Sequence, residues 1–271
     1  KDIDIDFYPL VKQHLQKHES RLRARAGNQK WWQLQASPAF LPMFEMPKII
    51  YQEIQFHPSY AFDESGYLTN NKAFILPKKD LYVLGVLNSP LIWWYNWRFL
   101  PHMKDEALTP KGELMEVFPI APPTDEIREQ TEPKVQRLID LTKVNQQTYR
   151  DVLDWMQSRF EIDKLGQKLE RFATLSEDEF LTELRKRIPK KGKTTDPLGV
   201  AGQKEVKQLY NDYALPMQTR NREILQLEHQ VSDLVNQAYG LTPEDIDLLW
   251  RTAPPRMPIQ RTTQPISDAI A

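Results

Sequence analysis

The sequence predicts an α+β protein: a small mixed sheet with flanking helices, then a mainly helical domain of long antiparallel, coiled-coil-like helices. Two changes of texture carry this reading. From Trp31 to Ile120, short runs rich in Trp, Tyr, Phe and Ile alternate with turn residues. From Asp125 onward the chain is highly charged, poor in glycine and periodic. With 271 residues and 40% hydrophobic content, the chain can bury a core and still hold a second, smaller module.

The elements follow in order. Between Tyr8 and Arg25, residues Leu10, Val11, His14, Leu15, His18 and Leu22 recur at helical spacing, with Pro9 suited to a first turn, so a leading helix with a basic end is expected. KIIYQEI, the Asp63-Glu64-Ser65-Gly66 turn and AFIL read as the sheet. Asp80 offers an N-cap to LYVLGVLN, and Ser89 with Pro90 offers a cap and first-turn proline to LIWWYNWRFL, so two helices should meet at Ser89. FPIAPP closes this first domain, expected over residues 1–123.

A helical domain is expected over residues 124–252. Val135, Leu138, Tyr149, Leu153, Met156 and Phe160 form one stripe; Ile224, Leu227, Val231, Leu234 and Ala238 form another, and two antiparallel helices would bury both. Ser176-Glu177-Asp178-Glu179 and Thr242-Pro243-Glu244-Asp245 read as capping boxes before short helices. The Lys-, Gly- and Thr-rich stretch 189–203 is expected to be a mobile basic loop, and residues 253–271 a disordered tail.

Composition excludes several classes. A formal charge of -1 rules out a uniformly basic nucleic-acid coat, so any DNA affinity must come from local clusters. The absence of cysteine removes disulfides, zinc-finger spacing and a thiol nucleophile. LYVLGVLNSPLIWWYNW is interrupted by Asn88, Ser89, Pro90 and Asn96, well short of a membrane span of about 20 residues, and KDIDIDFYP is not a signal peptide. The N-terminus reads as if cut from a longer chain, and a bacterial cytoplasmic location is expected.

No motif locates a catalytic centre or a metal site. Gly199-Val200-Ala201-Gly202 lacks the spacing of a nucleotide loop. His14 and His18 stand at i,i+4 spacing, but HLQKHE lacks the glutamate of a zinc peptidase and reads as a solvated helix face. His57, His102 and His229 are isolated from any nucleophile elbow. The carboxylates of SEDEFLTELRKR suit i,i+4 ion pairs, and KIIYQEIQF offers Glu53 and Gln55 without the lysine of a metal-dependent nuclease.

What remains is a surface reading. Lys30, Gln33, Lys72, Lys78, Lys79, Arg98 and Lys104 place cations and an amide around an aromatic-rich sheet, a combination able to neutralise phosphates and read base edges. Trp31, Trp93, Trp94 and Trp97 equally suit a core behind such a rim. Arg185, Lys186, Arg187, Lys190, Lys191 and Lys193 form the densest basic cluster, either a phosphate contact or merely a soluble loop.

The ordered series YPLVKQHLQKHESRLRAR, KWWQLQ, FEMPKIIYQEI, FDESGYLTNNKAFIL, LYVLGVLNSPLIWWYNW and VFPIAPP resembles the TaqI-like C-terminal specificity domain of fused adenine-N6 DNA methyltransferases, type IIG restriction enzymes especially, and YGLTPEDIDLL is similar to the helical ending of those chains. The resemblance implies scaffold roles for Trp31, Trp32, Lys48, Ile49, Ile50, Asn88 and Ser89. Base-reading residues do not transfer, because they sit on loops that differ with the target. Nothing in the sequence looks like the family's S-adenosylmethionine loop, Asn-Pro-Pro-Tyr/Phe tetrapeptide or nuclease triad, so this segment itself should hold no cofactor. S-adenosylmethionine, with or without Mg²⁺, is expected in parent domains. The partners implied are double-stranded DNA and the methyltransferase domain of the same parent chain, with no membrane. The rival reading is a helical protein-interaction adaptor of a phage-defence complex, motivated by the stripe containing Val231 and Leu234.

Overall fold

The structure is a computed structural model that describes residues 3–34, 41–189 and 196–261. It is α+β, a three-stranded sheet with helices followed by a long helical region. The loop residues Lys190, Lys191 and Lys193 fall outside the described residues.

Helices α1 (Pro9–Gln16) and α2 (Glu19–Arg23) replace the single leading helix expected up to Arg25. Neither buries a residue, so no tertiary packing holds the chain in one continuous helix across Lys17 and His18. Helix α3 (Leu41–Phe44) precedes strands β1 (Lys48–Gln52), β2 (Tyr60–Asp63) and β3 (Ala73–Leu76). The order is β2-β1-β3. Both pairings are antiparallel, so the sheet is not mixed; its connections are too short for a parallel crossover, which needs a dozen or more residues.

Register sorts the two faces. Ile49, Tyr51, Tyr60, Phe62, Phe74 and Leu76 point to the same side and join one apolar core. Asp80 accepts from the Val83 amide at 3.0 Å to start α4 (Leu81–Leu87), and Ser89 accepts from the Ile92 amide at 3.3 Å to start α5 (Pro90–Phe99). At the junction, Asn88 behaves as a strand residue. Its side chain accepts from the Tyr60 amide at 3.1 Å and donates to the Tyr60 carbonyl at 3.0 Å, pinning the helix pair to the edge of β2.

After α6 (Gly112–Met115) comes α7 (Asp125–Phe160), then α8 (Glu177–Arg187) and α9 (Val200–Leu209). A π-turn at Tyr210–Ala214 joins α9 to α10 (Leu215–Ala238), and α11 (Pro243–Arg251) follows. The π-turn precedes Pro216, which has no amide hydrogen; the Leu215 amide bonds back five residues to Tyr210, and the helix absorbs the proline without ending. Both capping boxes form, Ser176 with Glu179 and Thr242 with Asp245.

Helices α7 and α10 run antiparallel: Arg137 pairs with Glu223 at 2.7 Å, Asn145 donates to Asn221 at 2.8 Å, and Arg220 reaches Thr148 at 3.3 Å. One end of the pair packs Val135, Val231 and Val235 onto the sheet and α4. The other end buries Val152, Met156 and Phe160 with Phe172, Phe180, Leu184 and Tyr210 in a separate distal core. The apolar core therefore crosses the boundary expected at 123/124. Residues 253–261 also depart from the expected tail. Trp93 Nε1 donates to the Pro255 carbonyl at 2.9 Å, Ile259 is buried, and Arg261 pairs with Asp247 at 3.0 Å. These anchors hold a strap of the chain against α5 and α11.

Candidate nucleic-acid interface

The expected cations lie on several different elements, each in its own local setting. Lys30 Nζ lies 5.4 Å from the Trp32 ring centroid, and its backbone amide donates to the Gln33 side chain at 2.9 Å, so this pair is organised by its own loop. Arg25 closes that loop by donating to the carbonyls of Trp31 at 2.9 Å and Gln33 at 2.8 Å. Lys72 precedes β3 and Lys78 follows it, so the two flank opposite ends of the strand.

Three of these lysines carry carboxylate partners: Lys72 with Glu53 at 3.0 Å, Lys78 with Asp80 at 3.1 Å, and Lys79 with Glu64 at 3.1 Å. Exposed pairs of this kind contribute about 0–1 kcal/mol, so a phosphate can replace the carboxylate at small cost. Asp80 is the exception, because its carboxylate also caps α4 and meets Arg128 at 3.3 Å. Burial acts to raise this carboxyl, and the Val83 amide, Lys78 and Arg128 outweigh it, holding Asp80 below the usual range.

Arg98 has a structural post. Its guanidinium lies 3.7 Å over the Trp94 ring and donates to the carbonyls of Trp94 at 2.8 Å and Thr252 at 3.0 Å. Trp94 Nε1 donates to the Thr252 hydroxyl at 2.8 Å, so together they clamp the end of α11 to α5. Arg185, Lys186 and Arg187 occupy the last turn of α8 in the distal lobe. There Lys186 pairs with Glu183 at 2.7 Å, and the Arg187 guanidinium lies over Gly166.

Lys104 stands on a protruding turn, exposed, with no ion-pair partner among the described residues. The base of the turn is rigid: Gln55 and Leu108 exchange backbone bonds of 2.9 and 2.8 Å, and Leu108 is fully buried. Residues that sequence reasoning missed gather here. Asp105 and Glu106 both take positive φ, 60° and 61°, and Arg256 of the strap donates from both terminal nitrogens to the Asp105 carbonyl at 3.3 Å.

The other side of the sheet is sealed at one end. Lys48 is wholly buried, and its ammonium donates to the Phe44 carbonyl at 2.7 Å and to Asp63. Further along, Gln52 and Ala61 are exposed and Ile50, Ala73 and Ile75 partly so, leaving a largely apolar open surface beside Lys72. Between β2, α4, α7, α10 and the strap lies a cleft of about 730 Å³, with His57, Lys143, Glu228, Ser232 and Arg256 among its walls. Among the described residues there is no helix long and apolar enough to cross a membrane, and no group of three or more metal-type ligands.

The first unit is thus a short antiparallel sheet backed by helices, with charged turns at its rim. Residues 5–120 match the family of the TaqI-like C-terminal specificity domain, and this part of the chain is such a domain. It carries a DNA sequence-specificity role in restriction-modification. Residues 124–235 match a domain of unknown function (DUF8810). No solved structure matches the chain.

Proposed function

We propose that this chain is the target-recognition part of a restriction-modification DNA methyltransferase that modifies adenine at N6. It selects the site on double-stranded DNA, and a methyltransferase domain of the same parent chain carries out the transfer. That domain supplies S-adenosylmethionine chemistry and extrudes the adenine from the duplex. The family match over residues 5–120 carries the reading. The DNA contacts proposed are Lys30, Gln33, Lys72, Lys78, Lys79 and Lys104, with Arg185, Lys186, Arg187, Lys190, Lys191 and Lys193 as phosphate contacts. Arg98 contributes by holding α11 against α5.

The adaptor reading loses its motive. Val231 and Leu234 are buried within the chain, so that stripe offers no outward docking face. The test is a polarisation titration of the full-length protein against a randomised duplex pool at several salt concentrations. Affinity falling steeply with salt, and enrichment of one short sequence, are expected. Binding that is neither salt-dependent nor sequence-selective would refute the proposal.

A further inference from the structure

We infer that the turn Lys104–Glu106 is a base-reading element for a C·G pair in the major groove, held in its reading conformation by Arg256. The inference rests on the DNA-recognition reading above and goes beyond it by naming the element, the base pair and the residue that positions them.

The backbone makes the first argument. Non-glycine residues rarely adopt positive φ, and each costs about 1–3 kcal/mol. Among the described residues four do so, and three of them, Asp105, Glu106 and Arg256, meet at this one spot. Glycine would relieve the turn, yet two charged side chains occupy it. Strain of this kind persists only where the surroundings over-determine it. Here they do: Met103 donates to the Ala107 carbonyl at 2.7 Å, Thr109 donates to the Pro101 carbonyl at 3.2 Å, and Ala107, Leu108 and Thr109 are buried. Residues 101–106 above that base are all exposed. A rigid base with a charged, open tip positions side chains with little loss of entropy on binding.

Chemistry makes the second argument. A lysine donates to guanine O6 and N7, and a carboxylate accepts from the cytosine N4 amine, so Lys104 beside Asp105 and Glu106 carries both halves of a C·G code. Neither carboxylate has a cation on its side chain among the described residues, unlike Glu53 and Glu64 at the sheet rim.

Arg256 makes the third. It lies outside both family matches, yet its guanidinium sits 5.2 Å from the Phe56 ring centroid while bonding to the Asp105 carbonyl. It bridges the loop after β1 to the turn. Trp93 anchors the adjacent Pro255, so Arg256 is delivered by a fixed strap.

The experiment compares full-length wild type with Lys104→Ala, Asp105→Gly/Glu106→Gly and Arg256→Ala by binding-and-sequencing on a randomised duplex pool, with thermal melting in parallel. The expected wild-type preference includes a C·G pair at which each variant loses discrimination by about 5- to 100-fold, with other positions kept. The double glycine variant should melt at a higher temperature than wild type, separating lost reading from lost folding. Arg256→Lys should restore part of the discrimination. Unchanged preferences in all variants would overturn the inference while leaving the DNA-recognition reading intact. A wild type with no preference at all would sink both.

Discussion

Lys48 and Asp63 stand opposite each other in the β1–β2 register and form an ion pair from which water is excluded: the lysine is fully buried and the aspartate nearly so. Asp63 also accepts from the amides of Ser65 at 2.9 Å and Tyr67 at 3.0 Å, which fixes the turn after β2. One pair therefore joins α3, the sheet and the following loop. Removing one partner of such a pair strands the other.

Lys48→Met is accordingly expected to cost about 3–5 kcal/mol by denaturant unfolding, against about 0–1 kcal/mol for Lys72→Met at the exposed rim. The double substitution Lys48→Met/Asp63→Leu should recover only part of the loss: no uncompensated charge remains, but the Ser65 and Tyr67 amides lose their acceptor. Burial acts to raise the Asp63 carboxyl, and Lys48 with the two amides outweighs it, holding it below its ordinary value. Its contribution is thus present above the unfolded value of 3.8 and is lost as pH falls through the folded value. Equal costs for Lys48→Met and Lys72→Met would show that water reaches the pair.

Glu228 gives the opposite sign. Burial in the cleft pushes its carboxyl up to about 7 from 4.5, so the folded chain holds a proton that the unfolded chain releases. Stability from this group is full below 4.5, falls as pH rises to about 7 and is level beyond. Glu228→Gln should remove that decline and raise stability above pH 7 by about 1–2 kcal/mol after solvent screening. Asp233, raised by burial in the same direction, leaves a residual slope in the variant. Chemical melts at pH 5 and pH 8 measure the difference, and identical slopes with and without Glu228 would contradict it.

Local signals were the legible ones. Asp80, Ser89, Ser176 and Thr242 each cap a helix through an amide three residues on, a relationship contained in a few letters of sequence. Contacts of long separation were not. The resemblance gives Lys48 a scaffold role without naming its partner, which only the strand register supplies in Asp63, and Arg98 reads as a phosphate ligand until Thr252 arrives 154 residues later. Residues 253–261 are proline-rich and aperiodic, and their order comes from partners such as Trp93 that no local pattern names. Asp105 and Glu106 carry no sequence mark of a left-handed turn, because glycine or asparagine is the ordinary signal.

Midway along the α7–α10 pair, the two apolar cores are separated by a polar belt. Asn145 is buried, accepts from Arg220 at 2.6 Å and donates to Asn221 at 2.8 Å. A buried asparagine satisfied in only one alignment sets register, because a one-turn slip would leave its amide and the guanidinium unpaired. Asn145→Ala is expected to cost about 1–3 kcal/mol. Asn145→Asp should cost less, since a carboxylate still accepts from Arg220. Equilibrium unfolding in urea ranks the three, and a neutral Asn145→Ala would remove the register role.

Gly85 is where α4 meets the helical pair. A Cβ at this position would lie 3.0 Å from Val135 Cγ2 and 3.2 Å from Val231 Cγ1, so the close approach of the specificity unit to α7 and α10 depends on the missing side chain. For alanine, two effects oppose. The helix gains about 1 kcal/mol of propensity, and the valines must yield by a few tenths of an ångström, so Gly85→Ala should fall within about 1 kcal/mol of wild type. Leucine cannot be accommodated by that small movement. Gly85→Leu should cost about 1–3 kcal/mol through overpacking, and, because the core is shared, the loss should appear in the melting of both units together. Calorimetry distinguishes the cases: a Gly85→Leu protein that melts like wild type would mean that α4 does not bear on α7 and α10.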